Sequence, residues 1–194
     1  MLSCRTSLSK EEVSVKRILA LGICLLVASA TTTSAQQKKA ESRETKIARA
    51  LSAAPPNIAQ AAKVVDRDEK GNDTVLREGT NGFTCFPGHP GVIGDPPFCA
   101  NAPALQWEKD IAEHKPKPTN TEPGIEYMLA GARDWSASDP HAKSGTPIKE
   151  SPHWMILWPF DPATTGLATR LKQTGTWIMY AGTPWAHLMI NGRP

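Results

Sequence analysis

Two short segments in the C-terminal half of the chain place a histidine two residues before a methionine. The sequence reads HWMI at 153–156 and HLMI at 187–190. Because side chains two residues apart on a strand point to the same face, each segment presents an imidazole and a thioether together. If the two strands are neighbours, the donor set suits a soft ion such as Cu(I). The four ligands would be His153, Met155, His187 and Met189.

Two other interpretations of this pattern stay open. In one, the methionines fill gaps in a hydrophobic core while each histidine makes a buried hydrogen bond. In the other, a histidine lines a pocket for an organic ligand. The three interpretations differ in whether segments 153–156 and 187–190 pair. They also differ in whether the face that carries the histidines binds an ion, packs in the core or lines a pocket.

A second group of polar residues lies in a long segment with few apolar side chains. Its members are Asp134, Trp135, Ser136, Ser138, Asp139 and His141. Such a segment can bind a sugar or another polar ligand, because an indole offers a flat apolar face beside hydroxyl and carboxylate groups. Serine, aspartate and histidine this close together do not form a hydrolytic triad, whose members must converge from separate elements. We expect residues 138–140 to form a turn.

Tryptophan and histidine are concentrated in the same half of the chain. Five of the six tryptophans and three of the five histidines lie between residues 135 and 187. This crowding predicts a ligand-binding surface on a C-terminal sheet. The residues assigned to that surface are Trp135, His153, Trp154, Trp158, Trp185 and His187.

Three functional hypotheses follow from these residues. The main one is an exported, non-catalytic domain that binds a small molecule or an envelope protein through the Trp/His surface. An alternative is a hydrolase-like enzyme that uses His141, His153 or His187 with Asp134 or Asp139. A third is a structural component of the cell envelope. The sequence lacks the motifs of zinc proteases, phosphate loops, dinucleotide-binding folds and c-type haem attachment.

The first 35 residues have the order of a secretory signal peptide. Lys16 and Arg17 precede an apolar run at 18–30, and small residues follow up to Ala35. An apolar helix of this length reaches about 20 Å, against a hydrocarbon core of about 30 Å. We therefore expect cleavage after Ala35, no membrane span in the remaining chain, and a periplasmic or secreted protein.

Cys85 and Cys99 are the only cysteines between residues 36 and 194. In an oxidising compartment, an even pair of cysteines predicts a disulfide. The segment between them is rich in proline and glycine, so the crosslink would constrain a loop with little regular structure.

Residues 36–194 carry 18 Lys and Arg against 17 Asp and Glu, so their charge does not indicate a nucleic-acid partner. Their length suits one domain, and their sequence contains no internal repeat and no heptad pattern. Short apolar runs between proline and glycine predict the α+β class. We expect a small, mostly antiparallel sheet, a few packed helices and one disulfide, in a single domain spanning 36–194.

Capping signals predict where the first and last helices lie. Ser42 begins a helix that ends before Pro55, and Asp161 begins another that ends before Gly175. The last two strands form a hairpin around residues 181–184. This loop length puts Tyr180 opposite Trp185, and both faces of the hairpin are apolar.

Five blocks of the sequence resemble a family of uncharacterised exported bacterial proteins. They are REGTNGFTC at 77–85, YMLAG at 127–131, SDP at 138–140, PHWMI at 152–156 and GTPWAHLMI at 182–190. The resemblance covers most of the chain after residue 35. It implies bacterial export and a single domain, and it implies no activity, ligand or catalytic residue.

Overall fold

A computed structural model describes residues 41–194. The signal peptide expected at 1–35 lies outside the described residues. The elements in chain order are α1 (Arg43–Leu51), α2 (Pro56–Ala59), β1 (Lys63–Arg67), β2 (Asp73–Arg77), β3 (Phe83–Phe86), β4 (Phe98–Asn101), α3 (Ala102–Ala112), β5 (Gly124–Met128), β6 (Ala132–Asp134), β7 (Ile148–Glu150), β8 (His153–Leu157), α4 (Pro162–Thr165), β9 (Thr176–Met179) and β10 (His187–Asn191). Within 41–194, no helix has the length and apolar content needed to span a membrane.

Eight of the strands form one sheet in the order β2-β1-β3-β4-β5-β8-β10-β9. Neighbours run antiparallel except for β1 and β3, which are parallel. Strands β6 and β7 pair separately as a two-stranded sheet. The predicted α+β class and mostly antiparallel arrangement are confirmed, although the main sheet is larger than the small one expected.

Helix α1 covers one face of the sheet, over strands β1 to β4. Its first turn is capped as predicted, since the Ser42 hydroxyl accepts a hydrogen bond from the Thr45 amide at 3.2 Å. Alanines from α1 and the following turn pack against Val64, Leu76 and the two cysteines. Cys85 and Cys99 lie directly opposite each other on β3 and β4 and are joined in the predicted disulfide. Closing a loop of this length contributes about 3 kcal/mol in the chain-entropy model.

Helix α3 covers the opposite face, over β4, β5 and β8. The Asn101 side chain caps it by accepting a hydrogen bond from the Ala104 amide. Ala104 packs directly on Gly124 of β5, where the strand has no side chain. The fully buried Trp107 follows one turn later, so the close approach at Gly124 fixes how the helix sits on the sheet.

The terminal hairpin differs from its predicted register by one residue. His187 pairs with Met179 and Leu188 with Ile178, so residues 180–186 form the connection and Tyr180 is not opposite Trp185. Tyr180 has a φ of +53° and therefore leaves the extended conformation at the end of β9. Tertiary contacts of Tyr180, described below, stabilise that conformation, so the predicted four-residue turn at 181–184 does not form.

The helix predicted after Asp161 is also shorter than expected. Asp161 caps it as predicted, accepting a hydrogen bond from the Ala163 amide, but α4 ends at Thr165. Gly166 follows in the left-handed region, with a φ of +66°, which terminates a helix. Leu171 instead packs at the edge of the core from an irregular segment.

Candidate functional site

A cavity of about 410 Å³ lies between the large sheet and the two-stranded sheet. Its floor is the α3-covered face of β5, β8, β9 and β10, and α3 itself forms one wall. Its roof is the polar segment 131–151, which contains β6 and β7, and residues 93–96 of the disulfide loop complete it. The volume falls in the range of small-molecule pockets.

The two His-x-Met strands are neighbours, because β8 pairs with β10. Met155 lies opposite Met189, but His153 lies opposite Asn191 at one end of the pair and His187 lies beyond Leu188 at the other. The histidines are therefore offset by four positions, or about 13 Å along the strands.

The Cu(I) donor set is not assembled around one point. His153, Met155 and His187 line the cavity, whereas Met189 is buried and lies outside the lining. Residues 41–194 contain no group of three or more His, Cys, Asp or Glu side chains placed to hold a metal ion.

Both cavity histidines have the same tautomer, which their hydrogen bonds fix. His153 Nδ1 lies 2.7 Å from the Ser151 carbonyl oxygen, and His187 Nδ1 lies 2.9 Å from that of Trp185. A carbonyl oxygen only accepts, so each Nδ1 carries the proton. Burial lowers the pKa of both imidazoles, for His187 to about 4, so at neutral pH each Nε2 is an unprotonated acceptor.

Neither Nε2 atom has a hydrogen-bond partner within the described protein. His153 is completely buried and His187 is 3 % exposed, and both line the cavity. Buried polar atoms are normally paired, and leaving one unpaired costs about 1–3 kcal/mol. The two acceptors therefore mark the cavity floor as a place where a donor from a bound molecule would gain a partner.

Three carboxyl groups surround the cavity: Glu108 on α3, Asp134 on β6 and Glu150 on β7. Asp134 pairs with Ile148, so Asp134 and Glu150 lie on the same face of the two-stranded sheet. Burial and the charge of Asp134 raise the pKa of Glu150 to about 7 and also raise that of Glu108. Glu150 is 5 % exposed, and its Oε1 has no partner within the described residues.

Tyr180 connects the floor of the cavity to its roof. Its hydroxyl donates to Asp134 Oδ2 at 3.0 Å, and its amide donates to the Ala137 carbonyl at 2.9 Å. A non-glycine residue at positive φ costs about 1–2 kcal/mol, so these contacts to the polar segment must offset that strain. Tyr180 thereby orients Asp134 and holds segment 134–137 over the sheet.

Replacing Tyr180 with phenylalanine removes only the hydroxyl. We expect the free energy of unfolding to fall by about 2 kcal/mol, because a buried hydrogen bond to a carboxyl group is lost and Asp134 keeps only the Trp135 amide. Urea unfolding followed by tryptophan fluorescence measures the change. The exposed-site variant Thr165→Ala serves as the control, and an unchanged stability of Tyr180→Phe would contradict the role assigned to this bond.

Of the six residues assigned to the Trp/His surface, three line the cavity: Trp135, His153 and His187. The other three lie elsewhere. Trp154 is on the opposite sheet face beside Tyr127, Trp158 is 37 % exposed beyond the end of β8, and Trp185 is buried against Trp107. Alternation along β8 explains the first case, since Trp154 must point away from His153 and Met155.

The hydrogen bonds that the hydrolase hypothesis needs are not formed. Asp134 binds Tyr180 and the Trp135 amide, and Asp139 accepts from the His141 backbone rather than from its ring. His141 stacks near His114, outside the cavity lining. In the described part of the chain, the imidazole–carboxylate pair is His89–Asp95 in the disulfide loop, at 2.5 Å.

Sequence reasoning missed five polar residues of the cavity: Glu108, Arg133, Lys143, Glu150 and Tyr180. A usable signal existed for the glutamates, because Glu108 directly follows Trp107 in an amphipathic helix and Glu150 ends a polar segment just before an apolar strand. Tyr180 carried no such signal, because its role depends on a positive φ and on a contact with Asp134.

The chain was compared with known proteins at three levels. No protein-family model matches it, and neither the curated proteins nor the solved structures contain a match to it.

Proposed function

We propose that residues 36–194 act as an exported, non-catalytic domain that binds a small organic molecule in the cavity between the two sheets. The observation that carries the proposal is the set of buried polar atoms without partners that belong to residues lining the cavity. These atoms are His153 Nε2, His187 Nε2 and Glu150 Oε1.

The shape of the cavity supports a small molecule over a protein partner. The lining combines the thioethers of Met128, Met155 and Met179 with the polar atoms above, which is the mixed composition of ligand pockets. The polar atoms lie on residues that are at least nine-tenths buried, so a flat protein surface would not reach them.

Location outside the cytoplasm is part of the proposal. The order of residues 1–35 is that of a secretory signal peptide, and the Cys85–Cys99 disulfide is compatible with an oxidising compartment. The periplasm and the extracellular medium both fit these observations.

Filling the cavity from its roof tests the proposal. Ala142 lines the cavity, so phenylalanine there occupies ligand volume without altering the sheet. In a screen of small metabolites by thermal shift, we expect binders whose affinity falls at least about tenfold in Ala142→Phe, because the pocket is blocked.

The matched control is Ala163→Phe, at an exposed position of α4 outside the cavity. Its binding is expected to equal that of the unaltered protein. Binding that survives equally in both variants would place the ligand elsewhere and contradict the proposal, as would the absence of any binder.

A further inference from the structure

The chemistry of the unpaired cavity atoms restricts the ligand to one class. Both imidazoles present only a lone pair, because Nδ1 holds the proton and donates it to a carbonyl oxygen. The third unpaired atom, Glu150 Oε1, is a carboxyl oxygen. A molecule that satisfies these three atoms must bring hydrogen-bond donors.

The charges around the cavity are a second, independent indication of the ligand's class. Glu108, Asp134 and Glu150 line one cavity, and the charge of Asp134 acts on both glutamates. Arg133 and Lys143 also line it, but both residues are exposed, so solvent screens their charges. Three carboxyl groups around one cavity favour a cationic ligand, which would stabilise their ionised forms, over an anion.

Aromatic side chains point to the same class of ligand. Trp135 and Tyr180 both line the cavity, and the face of an aromatic ring attracts a cation. Among neutral candidates, a sugar pairs best with buried donors as well as acceptors, whereas the buried unpaired atoms of the lining residues are two imidazole acceptors and one carboxyl oxygen.

We propose that the molecule bound in the cavity is a small organic cation, a protonated amine whose N–H groups donate to Glu150 Oε1 and to the imidazole Nε2 atoms. This inference rests on the proposed function of the cavity as a ligand site. The two histidines, offset along β8 and β10, favour an amine with donors at more than one position.

Matched pairs of probes test the charge requirement. The probes are 1,4-diaminobutane, 4-aminobutanol, 2-phenylethylamine and agmatine, each beside a neutral alcohol of similar carbon frame, with butanedioate as the anion. Isothermal titration calorimetry with the full exported chain gives each affinity. We expect at least one amine to bind about tenfold or more tightly than its alcohol, and butanedioate not to bind.

Two near-isosteric variants locate the effect. Glu150→Gln and His153→Gln are expected to weaken amine binding about tenfold or more, while Glu122→Gln, an exposed carboxylate outside the lining, leaves it unchanged. Thermal unfolding of each variant shows that it is folded. Unchanged amine affinity in both cavity variants would overturn the inference.

The outcomes separate this inference from the proposed function. If alcohols or butanedioate bind better than the amines, and Ala142→Phe abolishes that binding, the cavity is a ligand site and the cation class is wrong. If Ala142→Phe leaves the binding of every probe unchanged, or if no amine binds, the cation inference fails. The metabolite screen then decides the proposed function separately.

Discussion

Glutamine in place of Glu126 is expected to stabilise the protein increasingly as the pH rises above 5. Glu126 lies on β5 and is completely buried, and neither of its carboxyl oxygens has a hydrogen-bond partner among residues 41–194. Burial, and secondarily the charge of Glu108, raises the pKa of Glu126 well above its ordinary value. The folded protein therefore keeps this carboxyl protonated where the unfolded chain ionises it.

The sign of the effect follows from proton binding. Between the unfolded pKa of about 4.3 and the raised folded pKa, the folded state binds the extra proton, so its stability falls as the pH rises. The slope is about 1.4 kcal/mol per pH unit. Glu126→Gln removes this titration, so the excess of its free energy of unfolding over that of the unaltered protein should grow between pH 5 and pH 7, by at most about 3 kcal/mol.

Urea unfolding at several pH values between 4 and 8 measures the difference. Glu150, whose pKa is raised, and His187, whose pKa is lowered, titrate in both proteins and cancel in the comparison, whereas Glu108, whose charge acts on Glu126, contributes to the difference. Glu122→Gln, at an exposed carboxylate, should give a pH profile parallel to that of the unaltered protein. A parallel profile for Glu126→Gln would show that the buried carboxyl is paired or ionised in the folded state.

Alanine at Gly124 is expected to destabilise the fold by about 3 kcal/mol. A Cβ atom there would lie 2.6 Å from Ala104 Cα and 2.7 Å from Ala104 N, so helix α3 would have to move off the sheet. Because α3 carries Trp107 into the core and Glu108 to the cavity, the variant should also lose ligand binding.

Two comparisons isolate the steric cause. Gly182→Ala introduces a Cβ into open space and suffers only from its φ of +84°, so it should cost about 1 kcal/mol. Adding Ala104→Gly should not rescue Gly124→Ala, because the closest atoms belong to the helix backbone. Near-ultraviolet circular dichroism reports the packing of Trp107 against Trp185, and rescue by Ala104→Gly would refute the backbone contact.

Some features follow from local sequence alone. The α1 cap at Ser42 and the Cys85–Cys99 crosslink lie where short-range patterns predict them. In each case the determining groups are close in the chain: a hydroxyl and an amide three residues apart, or two cysteines separated by 14 positions.

The register of the terminal hairpin does not follow from local sequence. A four-residue loop is the local expectation, yet Tyr180 leaves β9 at positive φ and bonds Asp134, 46 residues earlier. That contact shifts the pairing by one residue, which moves Trp185 out of the ladder and puts His187 opposite Met179. A one-residue shift reverses the face of each side chain, so the tertiary contact decides which groups meet the cavity.

The sequence by itself determined the α+β class, the disulfide and the alternation that gives His153 and Met155 one face. Only the tertiary structure decided that segment 131–151 covers that face and brings Asp134 and Glu150 over His153 and His187. The physical reason is the separation along the chain between the residues that interact. Caps and strand alternation depend on neighbours in the chain, whereas a cavity depends on which distant segments pack together and on the polar atoms they leave unpaired.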